Sequence, residues 1–329
     1  MNQPMTEVDH VVVENLRKHY VSGGGWLGRK KQVVRAIADV SLSIPKGVSV
    51  GLVGESGCGK STVARAILRL VEPDAGRVVH DGIDVRALSA DALRQYRRRA
   101  QLVFQDPYAS LNPLRTIRQT LEEPLHVHGM GSAAEIRARV QAAMEEVGLP
   151  VEHLERHAYE FSGGQRQRIG IARALILQPD FIVADEPVSA LDVSVQAQIL
   201  QLLQKLKTTR SLSFLFVSHD LGVIRNFCSL TNVMYLGRIV ESGPTRELLD
   251  DPKHPYTRLL RDSSPVPDPT RRIELITHAQ DLPSAANPPP GCAFHPRCPR
   301  AQDVCRQEIP RTSAVAGSLT RKVACHFPL

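Results

Sequence analysis

The sequence predicts an α/β fold in which helices cover a mostly parallel sheet, and three observations lead to this prediction. Apolar runs at residues 48–53, 181–185 and 214–217 have the length and composition of buried strands. Segments with helical periodicity separate these runs, and such alternation is typical of a parallel sheet. The first run also leads directly into a glycine-rich loop of the kind that binds phosphate groups.

Turn residues mark the strands near the N-terminus. Val11–Val13 opens a strand, Gly23–Gly25 predicts a flexible loop, and Val33-Val34 resumes a strand. Asp81-Gly82 follows the strand-like segment 77–80 and predicts a two-residue hairpin turn, because the central positions of such a turn favour these residue types. The region before residue 100 is therefore predicted to contain several short strands, two of them joined as a hairpin.

Helical patterns dominate the middle of the chain, from about Pro107 to Gly148. Ser132 and Glu135 have the spacing of a capping box, which starts a helix. One face of that helix carries Ile136, Val140, Met144 and Val147. A second apolar stripe, most simply core packing, carries Ile199, Leu202, Leu203 and Leu206.

Composition limits the classes of protein to be considered. The chain has 329 residues, 42% of them hydrophobic, and a net charge of +7. No apolar run approaches the roughly 18 residues that span a bilayer, and the N-terminus lacks the apolar segment of a signal peptide. The densest basic cluster is Arg94 with 97–99, and Tyr96 is its only aromatic neighbour. We therefore expect a solvated basic face and no nucleic-acid partner.

The glycine-rich loop after residues 48–53 has the spacing of a phosphate loop. Its predicted nucleotide-binding residues are Gly54, Glu55, Ser56, Gly57, Cys58, Gly59, Lys60, Ser61 and Thr62. Successive backbone N–H groups can surround a phosphate chain there, and the following helix directs its positive N-terminal end at the anion. Lys60 supplies a charge for the β- and γ-phosphates of ATP, and the Ser61 hydroxyl is placed to bind Mg²⁺.

Two carboxylates end the predicted strand 181–185. Because ligands of open α/β sheets bind at the carboxyl ends of strands, we expect Asp185 and Glu186 at the same sheet edge as the phosphate loop. The side chains of adjacent residues at a strand end point in different directions, so the two carboxylates can have different roles. Asp185 is predicted to hold Mg²⁺, and Glu186 to deprotonate the attacking water.

A second glycine-rich helix start lies about a hundred residues after the phosphate loop. It reads Phe161-Ser162-Gly163-Gly164-Gln165, with Ser162 as a good N-cap and two glycines that leave backbone N–H groups open to an anion. With the phosphate loop and Asp185-Glu186, this segment resembles the ATP-binding subunits of ABC transporters over at least residues 10–250. The resemblance implies a P-loop cassette with a RecA-like core, an antiparallel β subdomain and a helical insert at about 107–178.

The resemblance also implies roles for single residues. Gln105 and His219 match the residues that sense the γ-phosphate, and Gln105 also binds Mg²⁺. Tyr20 matches the aromatic residue on which adenine stacks. Residues 162–165 would bind the ATP held by a second ATPase subunit, so two chains would enclose two nucleotides. Phe161 stands where leucine is usual, and we expect this apolar substitution to be tolerated.

The last 79 or so residues form a predicted C-terminal extension, 251–329, after the cassette at 1–250. Prolines punctuate its start, at positions 265, 267, 269, 283 and 288–290. The segments 106–113, 185–198 and 254–257 resemble the dipeptide, oligopeptide and nickel importer ATPases. The spacing of Cys292, Cys298, Cys305 and Cys325 looks like their terminal extension, which can carry a [4Fe–4S] cluster.

The residues themselves support a metal at these four cysteines, because a reducing cytosol disfavours disulfides. Four thiolates suit a [4Fe–4S] cluster. A zinc ion is the alternative, with His295 or His326 as a fourth ligand, and a metal-free tail is a third reading. Cys58 and Cys228 lie outside this group and are expected to be ordinary thiols.

These features predict the ATPase subunit of an importer of di- or oligopeptides, on the cytoplasmic face of the inner membrane. The implied partners are a second, homologous ATPase subunit, two membrane permeases and an external solute-binding protein. Nickel or another small solute is the alternative cargo. A soluble ABC protein of translation or DNA repair is disfavoured, since one phosphate loop and one signature segment occur here. An exporter motor is disfavoured by the importer-like tail.

Overall fold

The computed structural model describes residues 9–22, 32–106, 108–263, 283–318 and 320–329. The predicted loop at 23–25, residue Pro107 and the prolines at 265, 267 and 269 lie outside these ranges. Contacts divide the described chain into two compact units. The first comprises the described residues up to His10, together with 45–48 and 87–216, and the second comprises the described parts of 11–44, 49–86 and 217–329.

The strands in chain order are β1 (Asp9–Ser22), β2 (Gln32–Pro45), β3 (Ser49–Val53), β4 (Ala75–His80), β5 (Ile83–Asp84), β6 (Ala100–Val103), β7 (Phe181–Asp185), β8 (Ser213–Ser218), β9 (Leu230–Tyr235), β10 (Arg238–Pro244), β11 (Ser313–Ala314) and β12 (Lys322–Val323).

The helices are α1 (Lys60–Ile67), α2 (Ala90–Arg99), α3 (Ile117–Val127), α4 (Ala133–Glu146), α5 (Gly163–Leu175), α6 (Val193–Arg210), α7 (Leu221–Phe227), α8 (Thr245–Asp250), α9 (Pro255–Ser263) and α10 (Asp303–Gln307). Short 3-10 turns occupy Val85–Ala87, Val151–Glu155, Ala158–Glu160 and His295–Arg297.

The first unit contains the predicted helical segment and a buried set of strands. Its strands lie in the order β8-β7-β6, and β6 runs parallel to β7 with Ala100 opposite Phe181. Every residue of β7 is buried, as expected of a strand covered on both faces. Helices α3, α4 and α5 pack together through apolar faces that include Leu121, Val140 and Ile169.

The second unit contains the antiparallel strands and the C-terminal extension. Its strands lie in the order β5-β4-β1-β2-β10-β9-β3. β1 pairs antiparallel with β4 and β4 with β5, whereas β3 runs parallel to β9. The tail joins this sheet through β12, which places Val323 opposite Glu241 of β10.

Several predictions for single elements are confirmed. Asp81 and Gly82 form the turn between β4 and β5, and both have the positive φ of such a turn. Ser132 and Glu135 form the predicted capping box at the start of α4. The two predicted apolar stripes, on α4 and α6, are buried along their whole length.

Two helix boundaries differ from the prediction. Helix α3 begins only at Ile117, not near residue 107, because the side chains of Asp106 and Asn112 accept hydrogen bonds from backbone N–H groups two residues on. Such local bonds compete with helix formation. The helix that follows the signature segment is predicted from the sequence to run to Leu177, where Gln178-Pro179 would stop it. In the structure this helix, α5, ends at Leu175, ahead of Gln178, which has a φ of 56°. The predicted boundary at residue 250 stays a prediction, because residues on both sides of it belong to the second unit.

Across the described ranges, every helix falls short of the length or the apolarity that a membrane span requires.

Candidate functional site

The phosphate loop in the second unit connects β3 to α1, and its shape requires glycine at two positions. Gly54 and Gly59 have φ values of 156° and 107°. A Cβ at Gly54 would lie 2.2 Å from the carbonyl oxygen of Met234, and one at Gly59 would lie 2.0 Å from that of Ala36. Backbone on either side therefore excludes a side chain at both positions.

Lys60 opens helix α1, and its ammonium lies over the loop. Its Nζ donates to the carbonyl oxygens of Gly54 at 2.7 Å and Glu55 at 3.0 Å. Ser61 and Thr62 follow in the same helix and are half-buried, while Ser56 and Gly57 are exposed at the crest of the loop. A cation, two hydroxyls and a row of N–H groups are the chemistry that a nucleotide phosphate chain needs.

Cys58 contributes its backbone rather than its thiol. Its side chain is buried, and burial raises the pKa of the Cys58 thiol despite the opposing charge of Lys60. The thiol therefore stays protonated at neutral pH and is poorly suited to nucleophilic chemistry. The other cysteine outside the tail, Cys228, is also buried. It directly follows α7 as the C-cap of that helix.

The other predicted nucleotide residues of the second unit are Tyr20 and His219. Tyr20 lies near the end of β1 with 41% of its surface exposed, and the Lys18 ammonium lies 5.6 Å from the centre of its ring. His219 directly follows β8 and is exposed. Both side chains thus reach solvent, and their roles toward adenine and the γ-phosphate stay predictions.

The first unit holds the predicted catalytic carboxylates at the end of β7. Asp185 is its last residue and is buried, and Glu186 follows with a φ of 46°, in the left-handed region. This change of backbone direction turns the second carboxylate away from the first. Glu186 Oε2 accepts a hydrogen bond from Gln105 Nε2 at 3.2 Å, so the structure brings together two residues that are 81 positions apart.

The signature segment starts helix α5 in the first unit. Ser162 is the N-cap, and the Gln165 N–H donates to the Ser162 hydroxyl while the Gln165 side chain accepts from the Ser162 N–H. Phe161, in place of leucine, is buried and makes an edge-on contact with His153. The substitution is thus accommodated in the core.

The two signature glycines allow close contact with the segment that follows β7. A Cβ at Gly164 would lie 2.4 Å from Cγ1 of Val195, and one at Gly163 would lie 3.3 Å from Cδ2 of Leu191. The Gln196 side chain donates to the carbonyl oxygens of Val188 and Leu191 and holds this segment in place. The signature helix is therefore packed directly against residues 188–196.

The four tail cysteines lie around one cavity in the second unit. Its lining includes Cys292, Cys298, Cys305, Cys325 and the ring of His254. Within the described part of the chain, no three of these sulfur atoms lie within 4.8 Å of one another. None of the described cysteines forms a disulfide.

Burial controls the protonation of these thiols. It raises the pKa of Cys292 to about 11 and also raises the pKa values of Cys298 and Cys325, and neighbouring cysteines act in the same direction. At neutral pH the thiols therefore keep their protons unless a cation offsets the charge of the thiolates.

His254 provides a polar atom at this cavity. Its Nδ1 accepts a hydrogen bond from the Tyr256 N–H, which places the ring proton on Nε2. That Nε2 is buried and has no hydrogen-bond partner among the described residues. Burial lowers the pKa of His254 to about 3, so the ring is neutral.

Three residues near the phosphate loop could not be assigned from the sequence. Tyr256 accepts a hydrogen bond from the Glu55 N–H at 2.9 Å, and Arg297 forms a two-pronged salt bridge with the Glu55 carboxylate. Tyr235 packs on the Tyr256 ring at 4.6 Å between centres. The segment 254–257, which contains Tyr256, carries part of the family resemblance. No local sequence pattern links Arg297 to Glu55.

Comparison with known proteins places the chain in a family. The family described as ABC transporter matches residues 37–189, and the oligopeptide/dipeptide transporter, C-terminal region, matches residues 240–305. A Brucella ovis protein named as a peptide import ATP-binding protein is 50% identical over 94% of this chain and 96% of its own length. The oligopeptide transport ATP-binding protein AppF of Bacillus subtilis is 46% identical over 96% of both chains.

Solved structures show the same fold. The dimeric structure of MJ0796, a bacterial ABC transporter cassette, has a TM-score of 0.63 and 33% identity, and the match covers 72% of this chain and 99% of that one. MJ0796 in a post-hydrolysis state bound to ADP and Pi matches equally well. On this evidence the chain belongs to the family of ABC transporter ATP-binding subunits that carry the oligopeptide/dipeptide transporter C-terminal region.

Proposed function

We propose that the chain is the ATPase subunit of an importer of di- or oligopeptides. The observation that carries the proposal is the presence, in one chain, of a complete set of nucleotide motifs and a tail that matches the oligopeptide/dipeptide transporter C-terminal region. The names of the Brucella and Bacillus relatives, which describe peptide import and oligopeptide transport, support it.

The chemistry assigned to the chain's own residues is hydrolysis of ATP. Lys60 and the loop N–H groups bind and orient the phosphates, and the hydroxyl of Ser61, the amide of Gln105 and the carboxylate of Asp185 are the proposed ligands of Mg²⁺. Bound Mg²⁺ would offset charge on the β- and γ-phosphates. Glu186 accepts a proton from the attacking water, and the oxygen of that water bonds to the γ-phosphorus. The bond between the γ-phosphorus and the oxygen that leaves with ADP breaks. His219 is the proposed hydrogen-bond donor to the γ-phosphate.

Two such subunits are needed for a full site. Ser162, the glycines 163 and 164 and Gln165 present a helix N-terminus that is proposed to cap the nucleotide of a second ATPase subunit. The dimeric state of MJ0796 supports this arrangement. The signature helix packs against residues 188–196, which follow the proposed catalytic carboxylates. Binding of a partner's nucleotide to this helix would therefore also affect the position of that segment.

The permease partners would dock near Gln105. Tyr108 and Leu114 are exposed apolar side chains in the segment that follows it, and 86% of the Leu114 surface is exposed. Helices of two membrane permeases could bind there, so that ATP-driven closure moves them. We propose that the chain works on the cytoplasmic face of the inner membrane and that an external solute-binding protein acts through the permeases.

A [4Fe–4S] cluster is proposed for the cysteine cavity. Four thiols line it, and the neutral Nε2–H of His254 is an unpartnered buried donor at the same cavity. A donor of this kind suits the sulfur atoms of a cluster, which accept hydrogen bonds. A zinc ion is the alternative, held by the four thiols or by three of them and a histidine, since His295 and His326 also line the cavity. By joining its four cysteine ligands, the cluster would stabilise the fold of the tail.

The cargo can be tested with the reconstituted transporter. The chain should co-purify from native membranes with two permeases, and vesicles containing the complex should accumulate labelled peptide only with ATP. A complex carrying Glu186→Gln is the control for ATP-driven uptake. Accumulation of nickel but not peptide would favour the alternative cargo, and co-purification with ribosomes or DNA would reject a transport role.

A further inference from the structure

The C-terminal tail contacts the phosphate loop through one ion pair. Arg297 Nη1 and Nη2 lie 2.8 Å and 2.9 Å from the two carboxylate oxygens of Glu55. Only 11% of the Arg297 side chain and 27% of the Glu55 side chain are exposed. A two-pronged, largely buried pair fixes both partners in orientation as well as in position.

Glu55 is held from three sides by this unit. Its side chain binds Arg297, its N–H donates to the Tyr256 hydroxyl, and its carbonyl oxygen accepts from Lys60. Its carbonyl also accepts from the Cys58 N–H across the turn of the loop. The residue that follows Gly54 is therefore attached both to the phosphate-binding lysine and to the tail.

A rigid base supports Arg297. It ends the 3-10 turn His295–Arg297, directly before Cys298, and its guanidinium lies 5.8 Å from the centre of the Phe294 ring. Phe294 is buried and contacts Tyr235 and Tyr256, with 5.4 Å between ring centres in both cases. This aromatic cluster of Tyr235, Tyr256 and Phe294 supports the guanidinium at its position beside the Glu55 carboxylate.

The charge of Glu55 gives the pair a further consequence. A carboxylate in a loop whose N–H groups bind phosphate would repel the phosphate chain of a nucleotide. Arg297 offsets that charge while leaving Lys60 available for the β- and γ-phosphates. Without Arg297, Glu55 would remain in the loop as an uncompensated anion.

We propose that Arg297 is a positioning residue for nucleotide binding: it neutralises Glu55 and fixes the phosphate loop, so that the tail completes the ATP site. Nothing in this arrangement requires a particular cargo. The inference rests on the proposed ATP-binding site and on a folded tail, and it does not depend on the proposal for peptide transport.

The test compares MgATP binding by the isolated full-length chain and its variants, measured by calorimetric titration. Arg297→Ala should weaken MgATP binding at least tenfold, because the uncompensated Glu55 carboxylate then repels the nucleotide phosphates. Arg311→Ala removes the same charge from an exposed position of the same tail and should bind like the wild type. Arg297→Lys keeps the charge and should recover most of the loss.

The double variant separates charge compensation from mere support of the fold. Arg297→Ala combined with Glu55→Gln should bind MgATP several-fold more tightly than Arg297→Ala and within about threefold of Glu55→Gln alone, because the carboxylate that Arg297 neutralises is then absent. If the double variant binds as weakly as Arg297→Ala, or if Arg297→Ala and Arg311→Ala bind alike, the proposal is overturned. Unchanged circular dichroism and thermal midpoint in Arg297→Lys and the double variant would show that folding is intact.

Discussion

Gln105 donates its side-chain amide to the Glu186 carboxylate across 3.2 Å, although 81 positions separate the two residues in the chain. The bond joins the end of β6 to the end of β7 within the first unit. The neutral amide of Gln105 thus orients the Glu186 carboxylate. This contact supports the proposal that Glu186 is the general base and that Gln105 sets its direction.

The first prediction concerns this base. Glu186→Gln should leave MgATP binding intact and reduce the steady-state rate of hydrolysis by about 10² or more, because an amide cannot take the proton of the attacking water. Loss of the negative charge should also favour an ATP-bound dimer, which size-exclusion chromatography with MgATP would detect. Hydrolysis within a few-fold of the wild-type rate would rule out Glu186 as the base.

The second prediction concerns the signature segment as a binding surface for a partner's nucleotide. Ser162→Arg fills the N-terminal end of α5 and should abolish hydrolysis in a homogeneous preparation, while nucleotide binding at Lys60 of the same chain is retained. Mixing the variant with Lys60→Ala chains, each defective in one half of the site, tests the arrangement in trans. Weakened binding by the isolated Ser162→Arg chain would instead show that the segment acts on its own loop.

The third prediction concerns the packing of the same helix. A Cβ at Gly164 would lie 2.4 Å from Cγ1 of Val195, a stiff β-branched side chain, so Gly164→Ala should cost about 1–3 kcal/mol of unfolding free energy. Gly170→Ala, in the same helix, meets nothing within 4 Å and should be neutral or stabilising by up to about 1 kcal/mol. Adding Val195→Ala to Gly164→Ala should recover most of the loss. Urea unfolding measures all four chains.

The sequence predicted most of this site because its signals are local. Strand β7 and its two carboxylates, the phosphate loop and the Ser162 cap are each contained within about ten residues, and their positions follow from pattern and spacing. The start of α3 was predicted wrongly because side-chain-to-backbone bonds at Asp106 and Asn112 defeat a helical pattern. The pair Arg297–Glu55 spans 242 positions and depends on how the tail packs, which no short motif encodes.

The fourth prediction concerns acid sensitivity. Burial lowers the pKa of His254 to about 3 in the folded chain, whereas an unfolded histidine titrates near 6.5. Between these values the unfolded state binds more protons, so the stability contributed by the neutral ring is fully present above about pH 6.5 and is lost as the pH falls. At pH 5.5 the loss from this residue is about 1.4 kcal/mol relative to neutral pH.

His254→Asn tests this effect, because an asparagine side-chain oxygen can still accept from the Tyr256 N–H but does not titrate. Urea midpoints at pH 7.5 and 5.5 should differ less in the variant than in the wild-type chain. His126→Asn, at an exposed position of α3, is the control and should keep the wild-type pH dependence. Equal pH dependence in His254→Asn and the wild type would contradict a neutral buried His254.

The last prediction concerns the cysteine cavity and the fold of the tail. The regular elements of the described tail beyond residue 283 are short, with five residues in α10 and two each in β11 and β12. Such a segment buries little apolar surface, so we expect a bound metal to supply much of its stability.

Chain purified without oxygen should be brown and contain iron and sulfide in near-equal amounts. Replacing any one of Cys292, Cys298, Cys305 or Cys325 by serine should remove the colour and expose the tail to protease, whereas Cys228→Ser should do neither. Because the raised thiol pKa values make protons strong competitors for the sulfurs, acidification should release the iron from the wild-type chain. Stoichiometric zinc without iron would replace the cluster by a zinc site, and a protease-resistant tail free of metal would refute both.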